Sequence, residues 1–158
     1  MNSRYLTKTP FDGTCRYCHS PNIPKPRRTF CSAECVHQYR LRTSGNYIRE
    51  QIYKRDKGIC SLCGINTVSI RNQILETNCH CTKRKTKYQK RQKQPPHEPR
   101  CLQIREDYSL GTKRKVWKRK YGGGLWDADH IQRVDSGGGC CGLENLRTLC
   151  LACHKSVT

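Results

Sequence analysis

The sequence is short of apolar material. Only 34% of its 158 residues are hydrophobic and 8% aromatic, with two Phe, two Trp and one Met. That excludes a large self-sufficient core, because small polar domains bury too little surface to offset chain entropy and rely on disulfides or metals. No stretch is long and apolar enough to span a membrane. The opening residues, MNSRYLTKTPFDGT, lack the apolar run of a secretory signal, so the chain is expected not to be secreted. Acidic residues are scarce too: 12 Asp and Glu stand against 31 Lys and Arg, a net charge of +19. That imbalance exceeds an ordinary mixed surface and points to a polyanion. DNA is the expected partner, and no long amphipathic helix points to a membrane. The sequence says little about oligomeric state.

What the chain has in excess is cysteine, 13 in all. The count is odd, and the residues fall in close pairs: Cys15/Cys18, Cys31/Cys35, Cys60/Cys63 and Cys150/Cys153. A secreted disulfide scaffold would be the ordinary reading of such abundance. Close pairs instead suit a tetrahedral ion, which draws two ligands from each tight knuckle. A reducing compartment follows, nuclear in a eukaryote and cytoplasmic otherwise. Cys15, Cys18, Cys31 and Cys35 make one structural zinc site by spacing, with His19 and His37 as alternative ligands nearby. Cys60, Cys63, Cys150 and Cys153 make a second. The long separation between its halves is cheap, since each doubling of a loop costs about 0.6 kcal/mol.

The last pair lies in TLCLACHKS, which contains the C-x-x-C-H pattern of haem attachment. Haem is disfavoured, because it requires export and a distal ligand, and Met1 is the only methionine. With Cys150 and Cys153 committed to zinc, His154 is left for other work.

Residues 1–14 read as a disordered lead-in, 15–43 as a four-cysteine zinc knuckle, and 44–158 as one domain with a basic insertion at about 76–122. From 76 to 120 there are 15 Lys or Arg and four Asp or Glu. Such a segment is expected to be disordered and to touch phosphates without reading sequence. Lys83, Arg84, Lys85, Lys113, Arg114 and Lys115 are candidate contacts, as are Arg133 and Arg147 near the candidate chemistry. Cys79, His80, Cys81, His97 and Cys101 offer a further zinc option, with a C-x-C spacing poor for the purpose. One helix is expected to start at Ser32 and run to about Arg42, and Ser44 is the N-cap candidate for a second from about Asn46 to Lys57. Gly58 would end the second. LWDADHIQRV reads as a strand, SGGG as a turn, and LACHKSVT as the start of a final helix.

Asp129-His130 ends the expected strand, Asn145 follows 15 residues after His130, and His154 nine residues later. DADHIQRVDSGGGCCGLENLRTLCLACHK, with GICSLCG upstream, resembles the HNH nuclease motif in its zinc-stapled subtype. The wider arrangement, with RTFCSAECVHQYRLRTSGNYIR and LWDADH, is similar to the nuclease module of annealing helicases that carry a Ran-binding-type finger. The resemblance spans about residues 15–75 and 125–158. It implies a small α+β, zinc-stabilised fold with a ββα-metal, treble-clef-like core. It also implies a metal-dependent endonuclease acting on DNA, on branched or replication-fork structures in repair. Residue by residue, it makes His130 the general base and Asn145 its orienting partner, or in some relatives a metal ligand. It makes Asp129 and His154 the ligands of one divalent ion, Mg²⁺ or Mn²⁺, beside two structural Zn²⁺. The alternative is a zinc module that binds nucleic acid or protein without chemistry.

Overall fold

The computed structural model describes residues 11–82, 95–110, 116 and 124–158. The described residues fall into two compact units. The first draws on Met1–Ile52 and His130–Arg147, the second on Tyr53–Asp129 and Thr148–Thr158.

In the first unit, the knuckle around Cys15 and Cys18 is held by backbone bonds, Cys15 N–H to Ser20 O at 2.8 Å and His19 N–H to Cys15 O at 2.8 Å. Helix α1 (Ala33–Thr43) starts where expected. The Ser32 hydroxyl accepts from the Cys35 N–H at 3.0 Å, satisfying one donor that the first turn leaves without a partner. Ser44 accepts from the Tyr47 N–H at 3.4 Å as α2 (Gly45–Asp56) begins. Leu41 and Ile52 are buried. Around them the first unit relies on edge contacts, Phe30 against Tyr39 at 5.1 Å, and on the Arg40 guanidinium 4.1 Å over the Tyr47 ring.

In the second unit, Lys57 and Gly58 take positive φ (53° and 79°) and end α2 as expected. A Cβ at Gly58 would lie 2.6 Å from Val68 Cγ2, so glycine is required there for space as well as for backbone angle. A tight loop follows, with Cys60 N–H to Ile65 O at 2.9 Å and Gly64 N–H to Cys60 O at 2.9 Å. Helix α3 (Thr67–Glu76) is capped by Asn66, whose carbonyl oxygen accepts from Val68 and Ser69 N–H. Strands β1 (Trp126–His130) and β2 (Leu146–Cys150) pair in a two-stranded sheet, and α5 (Leu151–Val157) follows directly. The expected strand and final helix are therefore present.

The expectation of a disordered stretch over about 76–122 is corrected in part. Residues 80–82 form a 3-10 turn, and Pro99–Asp107 form helix α4 with Pro99 in its first turn and Glu98 capping it. Cys101, Ile104, Leu110 and Val116 are buried with Ile70, Ile74 and Leu125 in one core. Composition misled because charge is averaged over the stretch, whereas a few apolar residues at helical spacing suffice to dock a short helix. Lys83, Arg84, Lys85, Lys113, Arg114 and Lys115 lie outside the described residues, as does most of the expected lead-in.

Candidate metal centres and active site

Two cysteine quartets meet in space as their spacing implies. In each of the groups Cys15, Cys18, Cys31, Cys35 and Cys60, Cys63, Cys150, Cys153, all four sulfurs lie within 4.8 Å of one another. Cys18 and Cys31 sulfurs are 3.4 Å apart, Cys31 and Cys35 3.4 Å, and Cys63 and Cys150 3.7 Å. Those separations are far beyond a disulfide bond of about 2.05 Å. They are close to the roughly 3.8 Å between sulfurs around a tetrahedral ion with bonds of about 2.3 Å. The clusters could hold metal ions.

Their electrostatics favour a cation. Burial resists ionisation of Cys60, but backbone N–H groups of Cys150, Cys63 and Leu62 outweigh it and hold the thiol down at about 6. Hydrogen bonding to Cys150 and Cys63 pushes Cys153 up to about 12. The first quartet repeats the pattern, with Cys15 down at about 6 and Cys31, against Cys35 and Cys18, up at about 12. Once one sulfur carries charge its neighbours resist a second; a divalent ion removes that repulsion.

The second quartet is embedded in further bonds that sequence reading missed. Ser61 N–H and hydroxyl both donate to Thr148 O, at 2.9 and 3.2 Å. The buried Thr148 hydroxyl donates to Asp56 Oδ2 at 2.8 Å, and Arg55 grips the same carboxylate at 2.6 and 2.9 Å. Burial raises the Asp56 pKa, but the bonds from Arg55 and Thr148 outweigh it and leave the carboxyl below the usual carboxylate range. Asp56 and Thr148 are 92 residues apart, and no local pattern signals such a pairing.

Two of the candidate site residues, Asp129 and His154, lie in the same unit as this quartet. In the second unit, Asp129 on β1 and His154 on α5 approach, with Oδ1 to Nε2 at 3.9 Å. That span is within the roughly 4.2 Å that two ligand bonds of about 2.1 Å can bridge. Carboxylate and imidazole together suit Mg²⁺, Mn²⁺ or zinc. Both side chains keep some exposure, 16% and 35%, enough for solvent to reach the pair. Because Cys153 and His154 are neighbours on α5, a metal on the thiol also fixes the imidazole's base.

In the first unit, His130 ends β1. Ile131 N–H donates to Asn145 O at 2.9 Å, closing the loop that follows His130. The Asn145 side chain then ties that loop: Oδ1 accepts from Gln132 N–H at 2.7 Å. Its Nδ2 donates to Gln132 O and Gly138 O, both at 3.1 Å. A Cβ at Gly138 would sit 2.0 Å from Gln132 O, so the expected glycine turn is needed for this closure. Asn145 thus spends its amide on the loop. Arg133 is exposed and ion-paired with Asp135 at 3.3 Å, while Arg147 is half-buried on β2.

Residues 117–158 match the family model described as HNH endonuclease. Over most of its length the chain is similar to the DNA annealing helicase and endonuclease ZRANB3. The identity is 29% to the Homo sapiens protein, covering 82% of this chain and 11% of the relative, and 27% to that of Mus musculus, covering 91% and 13%. The Bos taurus protein is 27% identical over 82% of this chain and 11% of the relative. The chain therefore spans about an eighth of the length of these relatives. No solved structure matches.

Proposed function

We propose that the chain is a metal-dependent endonuclease that hydrolyses DNA phosphodiesters through His130, Asn145, Asp129 and His154. The observation that carries this reading is the approach of Asp129 and His154 beside the cysteine quartet, in a segment that matches the HNH endonucleases. A phosphodiester is anionic and repels nucleophiles, so hydrolysis needs an activated water and neutralisation of charge at phosphorus and at the leaving oxygen. His130 takes the proton from water as general base. Asp129 and His154 hold a divalent ion, Mg²⁺ or Mn²⁺, which when bound neutralises the phosphate and the leaving oxygen. Asn145 fixes the loop directly after His130 and so limits how the imidazole can move. The two four-cysteine sets hold structural Zn²⁺. Arg133, Arg147 and the basic residues beyond them contact phosphates, supported by the net charge of +19.

Fork or branched DNA is the proposed substrate, by similarity to relatives named annealing helicase and endonuclease. The site of action is then the nucleus of a eukaryote, or the cytoplasm otherwise. Incubation with supercoiled, flap and fork DNA plus Mg²⁺ or Mn²⁺ tests the reading. Nicking that EDTA abolishes is expected. Binding without any nicking would leave a non-catalytic zinc module as the better account.

A further inference from the structure

A third cluster lies outside the two quartets and the candidate active site. Cys79, Cys81, His97 and Cys101 bring one ligand atom each within 4.8 Å of one another. Cys79 Sγ is 3.4 Å from His97 Nδ1, Cys101 Sγ is 3.8 Å from the same nitrogen, and Cys81 Sγ is 3.7 Å from Cys101 Sγ. A tetrahedral Zn²⁺ with Zn–S of about 2.3 Å and Zn–N of about 2.0–2.1 Å sets sulfurs about 3.8 Å apart and sulfur about 3.6 Å from nitrogen. We infer that these four side chains form a third structural Zn²⁺ site, with three thiolate ligands and one imidazole.

Three further observations support it. The C-x-C spacing, poor in an extended chain, becomes workable because the 3-10 turn folds tightly, with Thr82 N–H to Cys79 O at 2.9 Å. The second ligand pair also repeats a device used twice elsewhere. Cys31/Cys35 straddle the start of α1, Cys150/Cys153 that of α5, and His97/Cys101 that of α4.

Charge is the third observation. Arg105 is only 1% exposed and its Nη2 lies 3.3 Å from Cys81 Sγ. A guanidinium does not lose its proton in a protein, so its burial calls for negative charge nearby. Three thiolates, a neutral imidazole and Zn²⁺ sum to one negative charge, which Arg105 balances.

The position of the site gives it a purpose. Cys79, Cys81 and Cys101 are members of the core that includes Ile70, Ile74, Ile104 and Leu110. The ion would staple the end of α3 to the start of α4 across the basic run between them. The inserted segment then becomes a metal-built part of the second unit.

The test is zinc content of the purified full chain, measured in its reduced form. The double variant Cys79→Ser/Cys101→Ser should hold one zinc fewer per chain than the parent. His97→Cys, which completes a four-thiolate set, should keep the parent's load. Equal zinc in the parent and the double variant would overturn the proposal, as would a Cys81–Cys101 disulfide in the parent. Should the double variant fail to fold, ¹¹³Cd substitution of the parent decides. A third thiolate-ligated resonance coupled to the His97 imidazole is expected, and two such resonances alone would overturn it. Metal at Asp129 and His154 has no thiolate ligand, so failure of the nuclease reading would not alter this result.

Discussion

The pair Cys60/Cys63 and the set Cys79, Cys81, His97 and Cys101 each belong to a cluster that could hold a metal ion, yet they differ in how openly the sequence states it. The first is a short knuckle whose partners, Cys150 and Cys153, form an equally plain pair. The second splits its ligands across a basic run, with an unusual C-x-C on one side and a His-x3-Cys on the other. Short-range spacing is a reliable sign of metal only when each half of the site is itself a recognisable turn. In the second stretch the 3-10 turn and the helix start must form before the spacing makes sense.

Substitutions can break this comparison. The largest effect on folding is expected from Cys150→Ser, which removes a ligand from the point where β2 meets α5. Structural zinc contributes on the order of 10 kcal/mol of folding free energy. The variant should lose one zinc and unfold locally around β2 and α5, read by metal analysis and hydrogen exchange. If zinc content and protection stay at parental levels, the quartet is not a metal site.

Leu149→Ala comes next. Leu149 is fully buried against Cys60 and Cys150, and such truncations cost about 2–5 kcal/mol. Denaturant unfolding should show it, and a cost below about 1 kcal/mol would mean that the metal alone carries this region.

Asp56→Asn should destabilise by roughly 1–3 kcal/mol, because it weakens a charged hydrogen bond to Thr148 and the pair with Arg55. The sign of its pH dependence follows from a folded-state pKa below the ordinary value of 3.8. The stabilisation is present above that ordinary value and disappears as pH falls through the lower folded-state pKa. The stability gap between parent and variant should therefore close in acid. A gap that widens there would reverse the assignment.

Asn145→Ala should cost the least stability of these variants, about 1 kcal/mol from the loop bonds it gives up, and lower nuclease activity by about 10- to 100-fold, the scale of losing a group that orients another. An activity loss accompanied by loss of zinc would instead mark Asn145 as part of the scaffold.

Much of this was legible in sequence because it is local. Ser32 and Ser44 cap helices within three residues of themselves, Gly58 ends α2, and Asp129-His130 sits at a strand end. The bonds of the Asn145 side chain to both backbone groups of Gln132 are less local and have no sequence signal of their own. Helices α3 and α4 were missed for different reasons. The apolar face of α3, Ile70 and Ile74, is only two residues deep and finds its partners in Ile104, Leu110 and Val116. Helix α4 lies inside a segment whose average charge conceals its two core residues, Cys101 and Ile104. The tie from Asp56 to Thr148 depends on tertiary placement alone.

The proposed nuclease reading assigns His130 the role of base, with Asp129 and His154 as the ligands of the divalent ion. The most direct test compares the parent with His130→Ala on fork DNA in Mg²⁺ or Mn²⁺, with zinc content and DNA affinity measured alongside. Cleavage should fall by at least about 100-fold, within the range for losing a general base, while zinc and DNA binding stay at parental levels. Cleavage by His130→Ala at the parental rate would contradict the account.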